Sequence, residues 1–197
     1  MGKVVADISM SLDGFVTGPD PGMELGLGIG GEALHTWAIE SDDPVDADVL
    51  RKATATTGAV VMGRRLFDIV DGPRGWNDEM GYGAGLAAKP SFFVVTHEAP
   101  RQVRLELDIT FVTEGLEAAV DKARAAAGDK DAFVMGGGDV VRQCVETGLA
   151  DELRIHLAPL VLGSGTPLFT ASPRRELVQR SVRVSAAATH LTYALEP

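Results

Sequence analysis

Basic residues are scarce in this chain. Its 197 residues carry 18 lysines and arginines against 28 aspartates and glutamates, a formal net charge of −10. Such a balance repels nucleic acid and anionic membrane, and no Lys/Arg-rich run offsets it. Cysteine is nearly absent: Cys144 alone can form neither an internal disulfide nor a cysteine-based zinc site. No uninterrupted apolar run approaches the roughly 20 residues of a membrane span, and MGKVVADIS lacks the charged-then-apolar layout of a signal peptide. A cytoplasmic protein that binds a small molecule is the expectation. Two nucleotide-binding signatures are missing as well. There is no G-x-x-x-x-G-K-[ST], and in GGGDVV the position where a Rossmann turn needs its third glycine or alanine holds Val141.

What is present is an α/β pattern within one domain of 1–197. Eight short runs have strand character, at 4–9, 59–63, 92–96, 109–113, 132–136, 153–162, 177–185 and 188–195. The runs up to Gly136 are apolar on both faces, as interior strands of a parallel sheet covered by helices are. Helical periodicity fills 46–57, 116–128 and 139–148, the last two ending in glycine. Helices cease after Gly148, so a mostly parallel central sheet finishing in antiparallel C-terminal strands is predicted. Two glycine-rich irregular stretches, 18–31 and 72–88, are long enough to be functional loops.

Ligands of open α/β sheets sit beyond the carboxyl ends of the parallel strands. Three anion-friendly turns fall there. Gly63, Arg64 and Arg65 follow the second strand, Thr96 and His97 the third, and Gly136, Gly137, Gly138, Asp139 and Val140 the fifth. Bare glycine lets a backbone approach a ligand, a helix start offers free N–H groups, and guanidinium forks suit phosphate. Together they suggest a dinucleotide. Each alone also has a plain reading as a turn former, a solvated arginine pair, or an N-cap at Asp139.

Polar groups inside apolar strands are the second signal. With a period of two, Val5, Asp7 and Ser9 share one face of the first strand. Asp7 is then either a buried carboxylate kept for its partners or its proton chemistry, or a carboxylate on an exposed edge strand. His156, inside LRIHLAPLVL, is either a satisfied core histidine or a site residue. Cys144 lies among valines and reads as a small core residue.

The series SLDGFVTG (11–18), VMGRRLFD (61–68), VVTH (94–97), FVMGGGDVVRQ (133–143), GLADELRIHLAPLVLGSGTPLF (148–169) and THLTY (189–193) resembles the dihydrofolate reductase-like superfamily. The nearest branch is that of the riboflavin-biosynthesis reductase domain, here as a stand-alone member. The resemblance implies a three-layer fold, a homodimer and an NADPH-dependent reductase of a small heterocyclic (pteridine or pyrimidine type) or carbonyl substrate. A non-catalytic NADPH-binding protein or sensor is the alternative. It places Gly63, Arg64 and Arg65 at the adenosine-side phosphates, Thr96 and His97 near the 2′-phosphate, and Gly136 to Val140 at the pyrophosphate. It puts Ser11 to Gly31 where a lid covers the nicotinamide. Leu66 stands where the family often has threonine. Glu40 and several aspartates compete for the acidic place that folate reductases fill after the lid. No H-x-E or C-x-x-C deaminase motif occurs. Asp7, Asp13 and His156 are the candidate proton donors on the substrate side.

Overall fold

Valine, isoleucine and phenylalanine dominate the apolar runs, and such side chains favour the pleated, buried surface of a sheet. In the computed structural model, which describes residues 2–77, 80–84 and 89–195, these runs build one eight-stranded sheet. In chain order the elements begin with β1 (Val4–Ser11), β2 (Phe15–Thr17), a 3-10 turn (Gly31–His35), α1 (Thr36–Ile39) and α2 (Pro44–Thr56). Next come β3 (Thr57–Gly63), α3 (Arg64–Asp71), β4 (Ser91–Val95), β5 (Ile109–Val112), α4 (Leu116–Ala127) and β6 (Asp131–Val134). The chain closes with α5 (Gly138–Thr147), β7 (Glu152–Ala158), β8 (Thr166–Pro167), β9 (Val178–Val184) and β10 (Thr189–Ala194).

The strand order is β5-β4-β3-β6-β1-β7-β10-β9, with β2 and β8 forming a separate pair. All pairings from β5 to β7 are parallel, whereas β10 runs antiparallel to both β7 and β9. The expected architecture is therefore found. One face packs Val4 and Ala6 against Ala119, Val120 and Ala123 of α4 and Val141, Cys144 and Val145 of α5. The other packs Val5, Val60, Met62, Phe92 and Phe133 against Phe67 and Val70 of α3. Each valine fully removed from water contributes about 1.5–3 kcal/mol, so both layers are driven chiefly by aliphatic burial.

Several details differ from expectation. Strand β1 is central, flanked by β6 and β7, which removes the edge-strand reading of Asp7. Strand β5 is itself an edge and alternates in exposure rather than being buried on both faces. Strand β7 stops at Ala158, because Pro159 has no N–H to extend the ladder. Helix α3 begins directly at Arg64, so the two arginines lie in a helical first turn instead of a loop. The α5 C-terminus closes on Gly148 at φ 75, as its glycine suggested. Part of the 72–88 loop, residues 78–79 and 85–88, lies outside the described residues.

Cys144 is completely buried, and desolvation pushes its thiol up to about 12. The folded protein is thus expected to react negligibly with a disulfide reagent at pH 8 and to yield one thiol per chain only after denaturation.

The feature that positions the site is a fork in the sheet. Strand β6 pairs with β1 only from Val4 to Ala6, opposite Ala132 to Val134. Strand β1 then continues to Ser11, paired on its other side with β7 throughout. Beyond Ala6 strand β1 has no further ladder pairing with β6 among the described residues, and Asp7 is the first residue past the parting.

Candidate active site

The glycine turn forms one lip of the fork. Gly63 N–H donates to the Gly136 carbonyl at 3.0 Å, which joins the ends of β3 and β6. A Cβ on Gly63 would sit 2.9 Å from Val140 Cγ2, and one on Gly138 would sit 2.7 Å from Val16 Cγ2. These two glycines are required by close packing. A Cβ on Gly136, which has φ +120, would sit 3.4 Å from Leu66 Cδ2, so Leu66 lies against the turn. Gly137 differs: a Cβ there meets nothing within 4 Å, while its carbonyl accepts from the amides of Val140 at 3.0 Å and Val141 at 3.2 Å. The Gly136–Gly137 bond is cis.

Beside this turn, Arg64 is committed. It pairs with Asp68 at 2.7 Å and donates to the Glu98 carbonyl at 2.7 Å and to Thr96 Oγ1 at 3.3 Å. Thr96 is buried and donates to the same carbonyl. Arg64 and Thr96 thereby tie the end of β3 to that of β4, while Arg65 and His97 are exposed. Asp139, exposed in the first turn of α5, is held by Arg142 at 2.7 Å and does not cap the helix. The predicted turns at the ends of β3, β4 and β6 are adjacent in the sheet. They offer a glycine turn with room above Gly137, the start of the ten-residue helix α5 and the exposed Arg65. That donor set fits a dinucleotide phosphate chain.

On the other side of β1 from the fork runs a polar row. Register places Ser9 beside His156, His156 beside His190, and His190 beside Arg183, so the row crosses four neighbouring strands. Trp37 covers it. Its ring lies 4.1 Å from His156 and 5.0 Å from His190 between centroids, and its Nε1–H donates to Ser9 Oγ at 2.9 Å. Within the row His156 Nδ1 meets His190 Nδ1 at 2.7 Å. The outer nitrogens reach carboxylates: His156 Nε2 lies 3.0 Å from Asp7 Oδ1 and His190 Nε2 lies 2.7 Å from Asp46 Oδ1. Asp46 Oδ2 accepts from Ser41 Oγ at 2.5 Å. The result is a continuous chain, Asp7, His156, His190, Asp46, Ser41. Its nitrogens point at one another rather than at a common centre, and no group among the described residues could hold a metal ion.

Of the three proton-donor candidates, then, Asp7 and His156 meet directly and Asp13 is engaged elsewhere. Asp13 accepts from Ser11 Oγ at 2.6 Å and from the amides of Leu162 at 3.1 Å and Gly163 at 2.7 Å. The Ser11 hydrogen bond foremost, and these amides, hold its carboxyl below the usual range. Sequence reasoning missed His190 and Asp46. The signal for His190 was its place in THLTY, a second histidine in a strand-like run. Asp46 was one of several aspartates near a helix start, and only the fold reveals that it is 1% exposed.

Burial sets the protonation of this region. Desolvation lowers His190, against the opposing Asp46 hydrogen bond, and likewise lowers His35, whose Nδ1 is buried without a partner among the described residues. Asp46 is also lowered: burial raises it, but hydrogen bonds from Ser41, Ser185 and His190 outweigh that. Tyr82, raised by burial, donates to or accepts from Thr57 Oγ1 at 2.7 Å and stacks on Phe133. A histidine whose folded affinity for protons is reduced stabilises the fold above its unfolded value and loses that contribution below it. Stability is therefore expected to fall as pH drops below about 6.5, with net proton uptake on unfolding, and further below about 4 as Asp46 protonates in the unfolded chain. Urea unfolding at a series of pH values measures it.

Comparison with known proteins decides the family. The RibD C-terminal domain model matches residues 2–192. The chain belongs to the RibD C-terminal domain family. A relative in Bacillus subtilis (strain 168), the uncharacterized protein YyaP, is 22% identical over 173 residues, 85% of this chain and 80% of that one. Among solved structures, a Shewanella sp. PV-4 protein provisionally assigned to riboflavin biosynthesis is 20% identical. It superposes with a TM-score of 0.69 over 99% of both chains. A pyrimidine reductase-like protein of Corynebacterium diphtheriae gives 0.62 at 18% identity, over 100% of this chain and 92% of that one. A Thermotoga maritima deaminase/reductase of diaminohydroxyphosphoribosylaminopyrimidine and 5-amino-6-(5-phosphoribosylamino)uracil gives 0.61 at 14% identity; this RibD-type chain spans 98% of itself but 56% of that protein. These neighbours share the dihydrofolate reductase-like fold.

Proposed function

We propose that this protein is an NADPH-dependent reductase of a small heterocycle of pyrimidine or pteridine type. The observation carrying the proposal is the parting of β1 and β6, with open space for a Cβ at Gly137 on one side and the Asp7–His156 pair at the first residue of β1 past it. Family membership supports the reaction class, and the names of the pyrimidine reductase-like and riboflavin-related neighbours support the substrate class.

Bound NADPH would supply hydride, two electrons with one hydrogen, to a C=N or C=O of the substrate. The chain's own work is then orientation, exclusion of water and handling of one proton. Gly136 to Val140, Gly63 and Arg65 would hold the phosphates, with Arg64, Thr96 and His97 forming the adjoining wall. Asp7, part-exposed at the parting of the strands and backed by His156, is the group placed to manage the substrate-side proton. The same reading includes a homodimer, for which exposed Val178, Val182 and Val184 on edge strand β9 offer an apolar surface. Sedimentation velocity tests it.

Purified protein is expected to bind NADPH saturably and to oxidise it with a member of a panel of pterins and ribosylated aminopyrimidines. Saturable binding without turnover across the panel would favour the sensor alternative. No binding would remove the reductase proposal.

A further inference from the structure

The two carboxylates and two imidazoles of this chain, Asp7 to Asp46, share a fixed number of protons. Each of its three contacts, at 3.0, 2.7 and 2.7 Å, needs one shared proton, since two protons or none would be repulsive at that distance. Two carboxylates and two imidazoles sharing three protons carry one net negative charge. Where it rests is decided at the ends.

Asp46 is the end equipped for it. The residue lies in the first turn of the 13-residue α2, where the helix favours an anion. It takes the Ser41 hydroxyl on one oxygen and His190 on the other. Among the described residues Asp7 has one hydrogen-bond partner, His156. Fixing the charge at Asp46 fixes every other proton in turn. His190 donates from Nε2 and, being neutral, accepts at Nδ1. His156 must then donate from Nδ1 and accept at Nε2. The last contact can be filled only by a proton belonging to Asp7.

We propose that Asp46 and His190 are positioning residues which, through His156, keep Asp7 a neutral carboxylic acid at the fork. The alternative, an imidazolium between two carboxylates, would place three charges in the sheet's interior instead of one. Two arginines stand beside the chain in register, Arg183 next to His190 and Arg154 next to Asp7, and Arg154 has its charge engaged by Glu152 at 2.7 Å. Arg183 disfavours a cation at His190, and burial lowers His190. His35 and Trp37 cover the row from the 3-10 turn and α1, and Tyr82 approaches from the loop after α3. Resting on the reductase reading, the consequence is that Asp7 has a proton to give. The substrate's nitrogen or oxygen takes that proton as its π electron pair is displaced by the incoming hydride. Asp7 is left a carboxylate, and water returns the proton after product leaves.

The test uses protein without cofactor, so it is independent of whether NADPH binds. Nitrogen-15 spectra of the imidazoles are expected to show two neutral rings, His156 protonated at Nδ1 and His190 at Nε2. Infrared spectra with carbon-13-labelled aspartate are expected to contain a protonated-carboxyl band. That band should be lost in Asp7→Asn, with both tautomers kept, because the amide can donate as the acid did. It should also be lost in His190→Phe, which cuts the chain while Asp7 remains, because His156 is then free to donate to an ionised Asp7. A purely structural His190 would not move that band. An imidazolium at either ring, the reversed tautomers in the wild-type protein, or a band that survives Asp7→Asn would overturn the proposal. The wild-type spectra alone decide it should His190→Phe fail to fold.

Discussion

His190→Ala is expected to destabilise the fold by about 3–5 kcal/mol, the cost of stripping one member from a buried charged network. Two terms combine. The variant leaves His156 Nδ1 and the Asp46 carboxylate facing an empty space, each inside the protein. It also removes a ring that packs edge-on against Trp37, and a large-to-small change of that kind adds the cost of a cavity. For a chain of this length each kcal/mol shifts the thermal midpoint by about 2–4 °C, so a fall on the order of 10 °C is the expected reading. Asp46→Ala should be comparably harmful, and the double variant less harmful than the two together, because the second change removes a charge that the first had stranded. A loss below about 1 kcal/mol in His190→Ala, the level of an ordinary surface hydrogen bond, would mean that the chain does not bind α2 to the sheet.

That network also marks the limit of what the sequence disclosed. Every strand of the large sheet was visible as an apolar run, because valine-rich segments bounded by glycine or polar turns leave little else to form. Helices α2, α4 and α5 were visible from periodicity and glycine stops. Helix α3 was not, since Gly63 supplies no side-chain cap and Arg64 and Arg65 drew attention as ligands rather than as helix. The two short strands β2 and β8, of three and two residues, have no periodicity to read. Asp7 and His156 stood out because a polar residue within an apolar strand calls for a partner. What could not be read was who the partner is. The Asp7–His156 contact spans 149 positions and the His190–Asp46 contact 144. Contacts of that range follow from strand order, and strand order places β1, β7 and β10 side by side although they lie far apart in the chain. Asp13 was the converse case. Its position in SLDG suggested chemistry, whereas its oxygens clasp the turn after β7.

The glycine turn provides the other large effect, and Gly137 allows it to be separated from folding. Its φ of −67 is one that any residue adopts, and an added Cβ meets no atom within 4 Å. Gly137→Ala should therefore leave the thermal midpoint within about 2 °C of the parent, the effect of a substitution that fills no core space. If the cofactor's phosphates lie on that turn, the new methyl stands between them and the N–H groups at the start of α5. Affinity for NADPH should then fall at least tenfold, about 1.4 kcal/mol, and Gly137→Val should lose more. Gly138→Ala is the contrasting control. Its Cβ would approach Val16 Cγ2 to 2.7 Å, so it should weaken folding and binding together. Fluorescence titration beside thermal unfolding distinguishes the two patterns. Unchanged NADPH affinity in Gly137→Ala would place any bound dinucleotide away from this turn, and with it Gly136 to Val140 would lose their proposed role.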